Sequence, residues 1–222
     1  MTELQVSELF YSLQGESTRA GLPCFFIRLA GCNLRCNYCD ASYTYEEAAH
    51  MMTLEEILAA VAQHPDVMVE ITGGEPLLQK GCFPLIDSLL AQGHQVLIES
   101  NGSIVIDQVP PAAVVILDIK CPGSGSADSF AEQNLEVIRK RLLEQPHSVE
   151  IKFVLSDSND YIWARNFVRR HLADCAAAIL FSPVIDRLPP RELARLIMDD
   201  HLPVRLQLQL HTQIWPDASR GV

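Results

Sequence analysis

Short apolar runs alternate with amphipathic stretches along almost the whole chain, and this alternation limits the fold more than any other feature. The strand-like runs are Cys24–Leu29, Val67–Thr72, Gln95–Glu99, Val114–Asp118, Val149–Leu155, Ala178–Phe181 and Val204–Leu210. Several are apolar nearly throughout, as expected of strands covered on both faces. Between them lie helical patterns. Thr53 opens T-L-E-E with Glu56 three residues on, a capping-box signal, and Ile57, Leu58 and Val61 supply the apolar stripe. Phe83–Gln92, Phe130–Leu143, Tyr161–Leu172 and Arg191–Asp200 read in the same way, the last started by Pro189-Pro190. Strand–helix alternation predicts a parallel sheet with right-handed crossovers. The chain has 222 residues, and a full eight-unit barrel takes roughly 250. Asp107–Ala113, between the third and fourth strands, leaves little room for a regular helix. The expected fold is therefore α/β, a partial (open) αβ barrel of TIM-like type, in one domain spanning residues 1–222.

Composition narrows the classes of function. Seventeen basic against 28 acidic side chains leave a net charge of −11 with histidines neutral. That balance argues against charge-driven nucleic-acid binding. No apolar run approaches the roughly 18–20 residues that span a bilayer, and Met1–Gly15 lacks the basic start and apolar core of a signal peptide. A cytoplasmic protein is expected. In that compartment seven cysteines point to metal or redox chemistry where they cluster. Cys24, Cys82, Cys121 and Cys175 are scattered and read as structural.

Cys32, Cys36 and Cys39 form C-x3-C-x2-C directly after the first apolar strand. Zinc sites commonly take four ligands, often as two C-x-x-C pairs, and no second pair is present. A zinc knuckle with a distant fourth ligand, or chance clustering, remains open on spacing alone. A [4Fe–4S] cluster wants one terminal ligand per iron. Three cysteines would leave one iron free for a substrate or cofactor. Gly73-Gly74-Glu75-Pro76 follows the second strand; its glycines permit close backbone approach, and Glu75 can orient an ammonium group. The two motifs in this order resemble the radical S-adenosylmethionine (SAM) superfamily. The resemblance implies a [4Fe–4S] cluster on Cys32, Cys36 and Cys39, with SAM chelated at the open iron and its methionine part held by Gly73, Gly74 and Glu75.

Polar residues recur where strands end, the rim at which barrel-type sheets build sites. Thr72 closes the second strand, Glu99-Ser100-Asn101-Gly102 the third, Asp118 and Lys120 the fourth, Ser182-Pro183 the sixth and His211 the seventh. Ser100, Asn101, Asp118, Lys120 and Ser182 are expected hydrogen-bond partners for the ribose or carboxylate of SAM. Gly123-Ser124-Gly125 lacks the spacing and the Lys-Ser/Thr ending of a phosphate loop.

The amino-terminal Phe10-Tyr11-Ser12-Leu13-Gln14-Gly15-Glu16, together with Arg28, Gln207-Leu208-Gln209-Leu210-His211 and Arg220-Gly221-Val222, is similar to the 7-carboxy-7-deazaguanine synthase family of deazapurine (queuosine) biosynthesis. The likeness is colinear from about residue 7 to residue 222. It implies a lyase that rearranges 6-carboxy-5,6,7,8-tetrahydropterin to 7-carboxy-7-deazaguanine with release of ammonia. A 5′-deoxyadenosyl radical would take hydrogen from C6 and return it, so that SAM acts catalytically. By position, Leu13, Gln14, Gly15, Glu16, Arg28, Thr72, His211 and Val222 would hold the pterin. Gln and Glu suit the amide and amino edges of the ring, and Arg28 suits its carboxylate as a bidentate fork. The resemblance also implies Mg²⁺, a flavodoxin or ferredoxin as electron donor, and a homodimer. Members often carry Thr after the Cys-Asp pair. Here Cys39-Asp40 is followed by Ala41, which has no oxygen ligand, so Ser42, Asp40 or water is left to meet the metal. The competing expectations are a glycyl-radical-enzyme activase of the same superfamily and a non-catalytic metal-binding module.

Overall fold

Eleven residues, Glu3–Leu13, make the first strand, β1, whose start alternates between exposed and buried and whose remainder is mostly half-buried. β1 turns through residues 14–22 into an antiparallel partner, β2 (Pro23–Leu29). Its other edge pairs antiparallel with the short β3 (His50–Thr53). From β2 onward every pairing is parallel: β4 (Met68–Gly73), β5 (Val96–Ser100), β6 (Val114–Asp118), β7 (Val149–Leu155), β8 (Ala178–Pro183) and β9 (Arg205–Leu206). The spatial order is β3-β1-β2-β4-β5-β6-β7-β8-β9, and the nine-stranded sheet stays open. This computed structural model describes residues 2–218 and 220–222.

The helices are α1 (Tyr43–Glu46), α2 (Leu54–Val61), α3 (Cys82–Ala91), α4 (Asn134–Glu144), α5 (Ser158–His171), α6 (Pro190–Asp199) and α7 (Leu210–Ile214). Thr53 caps α2 with the reciprocal Glu56 bond that the sequence predicts, a feature worth about 1 kcal/mol. Asp157 caps α5 by accepting from Asn159 and Asp160 N–H. No regular helix occupies the stretch before β6; a single 3-10 turn forms at Ile106–Gln108. Arg141 of α4 holds that stretch, donating to the carbonyls of Val109, Pro110 and Ala113.

One face of the sheet carries Ile27, Val69, Ile71, Ile98, Val115, Leu117, Ile151, Phe153 and Phe181, buried under the helices. The opposite, concave face starts with a small apolar floor of Cys24, Phe26, Met68, Leu97, Val114 and Ile116. Above that floor the inward positions are polar. The open αβ barrel is thus as expected, with four differences in its parts. The antiparallel β1 and β3 were not anticipated. The Val204–Leu210 run is strand only at Arg205–Leu206 and helical from Leu210, because the chain turns away to cross the barrel mouth. The helix expected from Phe130 begins at Asn134, whose side chain bonds Gly102 O and Ile104 O. Among the described residues, no helix is long and apolar enough to cross a membrane.

Candidate active site

Side chains two residues apart on a strand share a face, and this rule builds the site. Arg28 on β2, Thr72 on β4, Glu99 on β5, Asp118 on β6 and Lys152 on β7 all line one cavity of about 690 Å³ at the carboxyl ends of the parallel strands. Ligand sites run to roughly 300–1,000 Å³. The same cavity is lined by Leu13, Gln14, Gly15 and Glu16 from the hairpin tip, by Cys32, Cys36 and Cys39, by Gly73 and Gly74, by Ser100, Asn101 and Lys120, and by His211 and Val222.

At one end stands the cysteine loop. None of its three cysteines is paired in a disulfide. Cys32 Sγ accepts from Leu34 N–H at 3.4 Å and from Asn101 Nδ2 at 3.8 Å. The loop is packed against Gly73-Gly74: a Cβ on Gly74 would collide with Gly31 O and stand 2.7 Å from Cys32 Cβ. Gly73, at φ +146°, has no room for one either, because Leu29 O occupies that space. Asn37 N–H donates to Ser124 O and Arg187 to Asn37 O, which ties the loop to the β6 and β8 rims. Nearby, Asp118 Oδ2 accepts from Lys120 Nζ at 2.7 Å. The neighbouring carboxylate raises the Lys120 ammonium above the usual lysine range against the opposing pull of burial. Among the described residues, Asp118 Oδ1 is buried without a hydrogen-bond partner. A buried acceptor in that state calls for a ligand donor.

At the other end lie the hairpin tip and β2. Arg28 Nε donates to Glu8 Oε1 at 2.7 Å, and Tyr43 Oη donates to the same oxygen at 2.7 Å. Among the described residues no acceptor meets the two terminal nitrogens of Arg28. Gln14 is committed inside the protein: its amide donates to Glu70 and its Oε1 accepts from Glu16 N–H at 2.9 Å. Glu70 is buried, and burial, followed by the nearby Glu99, pushes its carboxyl well above the usual range. Glu16 is held by Lys152 Nζ at 3.1 Å and by Gln209 Nε2 at 2.8 Å. Thr72 Oγ1 donates to Glu99 Oε2 at 2.9 Å.

Three sequence-predicted residues fall outside the cavity wall. Glu75 is fully buried; it accepts from Leu77 N–H (3.0 Å), Asn101 N–H (2.7 Å) and Ser100 Oγ (3.1 Å), bracing the ends of β4 and β5 together. Burial pushes its carboxyl up to about 7, against these hydrogen bonds. Ser182 is buried in β8. Ser42 donates to Glu46 Oε2 at 3.0 Å, whereas Asp40 and Ala41 do line the cavity. Among the described residues, no three His, Cys, Asp or Glu side chains converge on a single-ion site. Cys24, Cys82 and Cys121 are buried and Cys175 is half-buried; burial raises the Cys82 thiol to about 12, consistent with an inert thiol.

Sequence reasoning passed over Glu70 and Lys152. Both sit in runs otherwise read as apolar core, V-E-I-T and V-E-I-K-F. A charged or polar residue at every second position of such a run is the signal, because it puts those side chains on the concave face.

The sequence profile of the Radical SAM superfamily matches residues 26–119. The chain is 43% identical over 219 residues to the 7-carboxy-7-deazaguanine synthase of Chlorobaculum tepidum, covering 99% of this chain and 97% of that protein. It is 42% identical over 234 residues to that of Koribacter versatilis, covering 99% and 100%. Among solved structures, QueE from Escherichia coli superposes with a TM-score of 0.76 at 24% identity over 93% of this chain and 94% of that one. Streptococcus suis SuiB bound to S-adenosylmethionine superposes with a TM-score of 0.57 at 14% identity, over 80% of this chain and 47% of that one. These two likenesses concern the fold, which agrees with the open sheet and its cysteine-bearing rim. With the full-length relatives above one-third identity, the chain belongs to the 7-carboxy-7-deazaguanine synthase family of the radical SAM superfamily.

Proposed function

We propose that this protein rearranges 6-carboxy-5,6,7,8-tetrahydropterin to 7-carboxy-7-deazaguanine with release of ammonia. The observation that carries the reading is one cavity with two chemically different ends: three cysteines and a glycine pair at one, an arginine with free terminal nitrogens at the other. The residues present fit the cofactors. Cys32, Cys36 and Cys39 would hold a [4Fe–4S] cluster. Gly73, Gly74, Ser100, Asn101, Asp118 and Lys120 would hold SAM, with the orphaned Asp118 Oδ1 taking a donor from it. Glu75 and Ser182 serve from behind the wall. Bound there, cluster and SAM supply the 5′-deoxyadenosyl radical that starts the rearrangement.

The remaining work is positioning by this chain. Glu8 fixes the Arg28 side chain through Nε, leaving its two terminal N–H₂ groups to clamp the pterin carboxylate as a fork. Glu16 and Thr72 face the ring, and Leu13, Gly15, His211 and Val222 close around it. Gln14 acts by fixing the hairpin tip, since both ends of its amide are already taken. Mg²⁺ belongs to the same reading. Its protein ligand would be Asp40, which lines the cavity, with water completing the shell; Ser42 is turned toward Glu46. A flavodoxin or ferredoxin donor, a homodimer, a single domain over residues 1–222 and a cytoplasmic site of action complete the proposal.

Equilibrium binding to the reconstituted protein under anaerobic conditions tests it. Arg28→Ala should weaken carboxytetrahydropterin binding by roughly a hundredfold, the cost of a lost charge-assisted pair, and leave SAM binding within about twofold. Equal losses for both ligands would overturn the assignment.

A further inference from the structure

Lys152 is the one inward-facing cation of β7, and the sequence motifs of the family did not point to it. Its ammonium sits among three carboxylates that arrive from three elements. Glu16 Oε2 of the hairpin tip is at 3.1 Å, Glu99 Oε1 of β5 is in direct hydrogen-bond contact, and Asp118 Oδ2 of β6 is at 3.9 Å. The side chain is only 6% exposed, yet it forms part of the cavity wall. A buried lysine is costly to keep unless carboxylates surround it. Here they do, and the ammonium stays protonated despite burial because Glu16, Glu99 and Asp118 face it. The geometry also constrains the carboxylates. Glu16 has Gln209 Nε2 on its other oxygen, and Glu99 has Thr72 Oγ1 on its other oxygen. Each carboxylate is thus held at both oxygens, with Lys152 common to the pair. The contacts span the barrel, joining the hairpin tip to β5 through β7.

We propose that Lys152 is a positioning residue of the substrate pocket: its ammonium ties Glu16 to Glu99 and sets the separation at which the two carboxylates meet the pterin. The assignment rests on the functional reading above and deepens it. Lys152 acts through Glu16 and Glu99 and does not take part in the radical chemistry. Its contact with Asp118 is longer by 0.8 Å than the contact with Glu16 (3.9 against 3.1 Å), and Asp118 already has Lys120 at 2.7 Å. Removing Lys152 therefore leaves the SAM end with its own cation.

The test is a pair of binding titrations on the anaerobically reconstituted protein, one with SAM and one with 6-carboxytetrahydropterin in the presence of SAM. Lys152→Met should raise the pterin dissociation constant roughly a hundredfold and move that of SAM by less than about threefold. Lys152→Arg, which keeps the charge, should recover most of the loss. In a double-mutant cycle, Lys152→Met in a Glu16→Gln background should cost much less than in the wild type, because the residue acts through Glu16. Should Lys152→Met not fold, Lys152→Gln, which removes the charge but keeps a polar group in the wall, carries the test and must raise the pterin constant and not that of SAM. A wild type that binds both ligands, with the charge-removing Lys152 variant indistinguishable from it or with full additivity in the cycle, overturns this assignment alone. A wild type that binds SAM but no carboxytetrahydropterin overturns the functional reading and this assignment with it.

Discussion

Glu75 shows how one buried side chain braces the rim of the cavity without lining it. Its carboxylate accepts from Leu77 N–H, from Asn101 N–H and from a Ser100 hydroxyl shared between its two oxygens, and it stands at the junction of β4 and β5. Burial outweighs those bonds and raises the carboxyl from 4.5 to about 7. The folded state therefore keeps this proton between about pH 4.5 and 7 while the unfolded state releases it. The group's contribution to stability is full below the lower value and is lost as pH rises through the upper one. Glu75→Gln in the cofactor-free protein should remove that slope. The stability of the variant relative to wild type should rise by about 3 kcal/mol across the window, measured by urea unfolding at several pH values. A difference that does not change with pH contradicts the raised carboxyl. At this scale the sequence was readable where a motif fixes the local backbone: Cys32, Cys36, Cys39, Gly73 and Gly74 lie where their spacing puts them. Ser42 was not readable that way. Its hydroxyl donates to Glu46, a contact set by the three-dimensional path of α1 and not by a motif.

At the scale of elements, the hairpin tip between β1 and β2 is the part that turns a generic open barrel into this site. Residues 14–19 are pinned from both sides of the concave face. Glu70 of β4 takes Gln14, and Glu150 of β7 takes Thr18 N–H (2.8 Å), Thr18 Oγ1 (2.6 Å) and Arg19 (2.6 Å). Ser17 sits between these anchors at φ +67°, a conformation that non-glycine residues hold only when their surroundings impose it. Glu150→Gln should loosen the tip. Amide hydrogen exchange of residues 14–22 should quicken at least tenfold, and the Michaelis constant for the pterin should rise with it. Unchanged exchange there would contradict the clasp. The parallel strands were legible because apolar residues cover both of their faces or alternate cleanly. β1 was not, because most of its length is only half-buried and one of its two neighbours, β3, is a short edge strand. The final strand was overextended for a related reason: Leu206, Leu208 and Leu210 alternate like a strand, yet Leu206 and Leu208 are exposed and Leu210 starts a helix.

At the scale of the whole molecule, the sheet remains open and is closed by chain rather than by strands. Leu210 N–H donates to Gly15 O at 3.0 Å, joining the carboxyl-terminal segment to the hairpin tip. Arg220 stacks on Tyr43 at 4.2 Å and pairs with Glu47, which draws Val222 to the cavity. Alternation and length made the open barrel legible, but the closure was not, because it depends on contacts between segments about two hundred residues apart. The result is one cavity with a cysteine end and an arginine end, and its central implication is catalytic. The most direct measurement is anaerobic turnover of the iron- and sulfide-reconstituted protein with a reductant, SAM and 6-carboxy-5,6,7,8-tetrahydropterin, counting 7-carboxy-7-deazaguanine formed per SAM consumed. Many products per SAM are expected, with none from Cys32→Ala. SAM cleaved in step with time and no deazaguanine formed, or a reconstituted protein that holds zinc and no iron, would contradict the account.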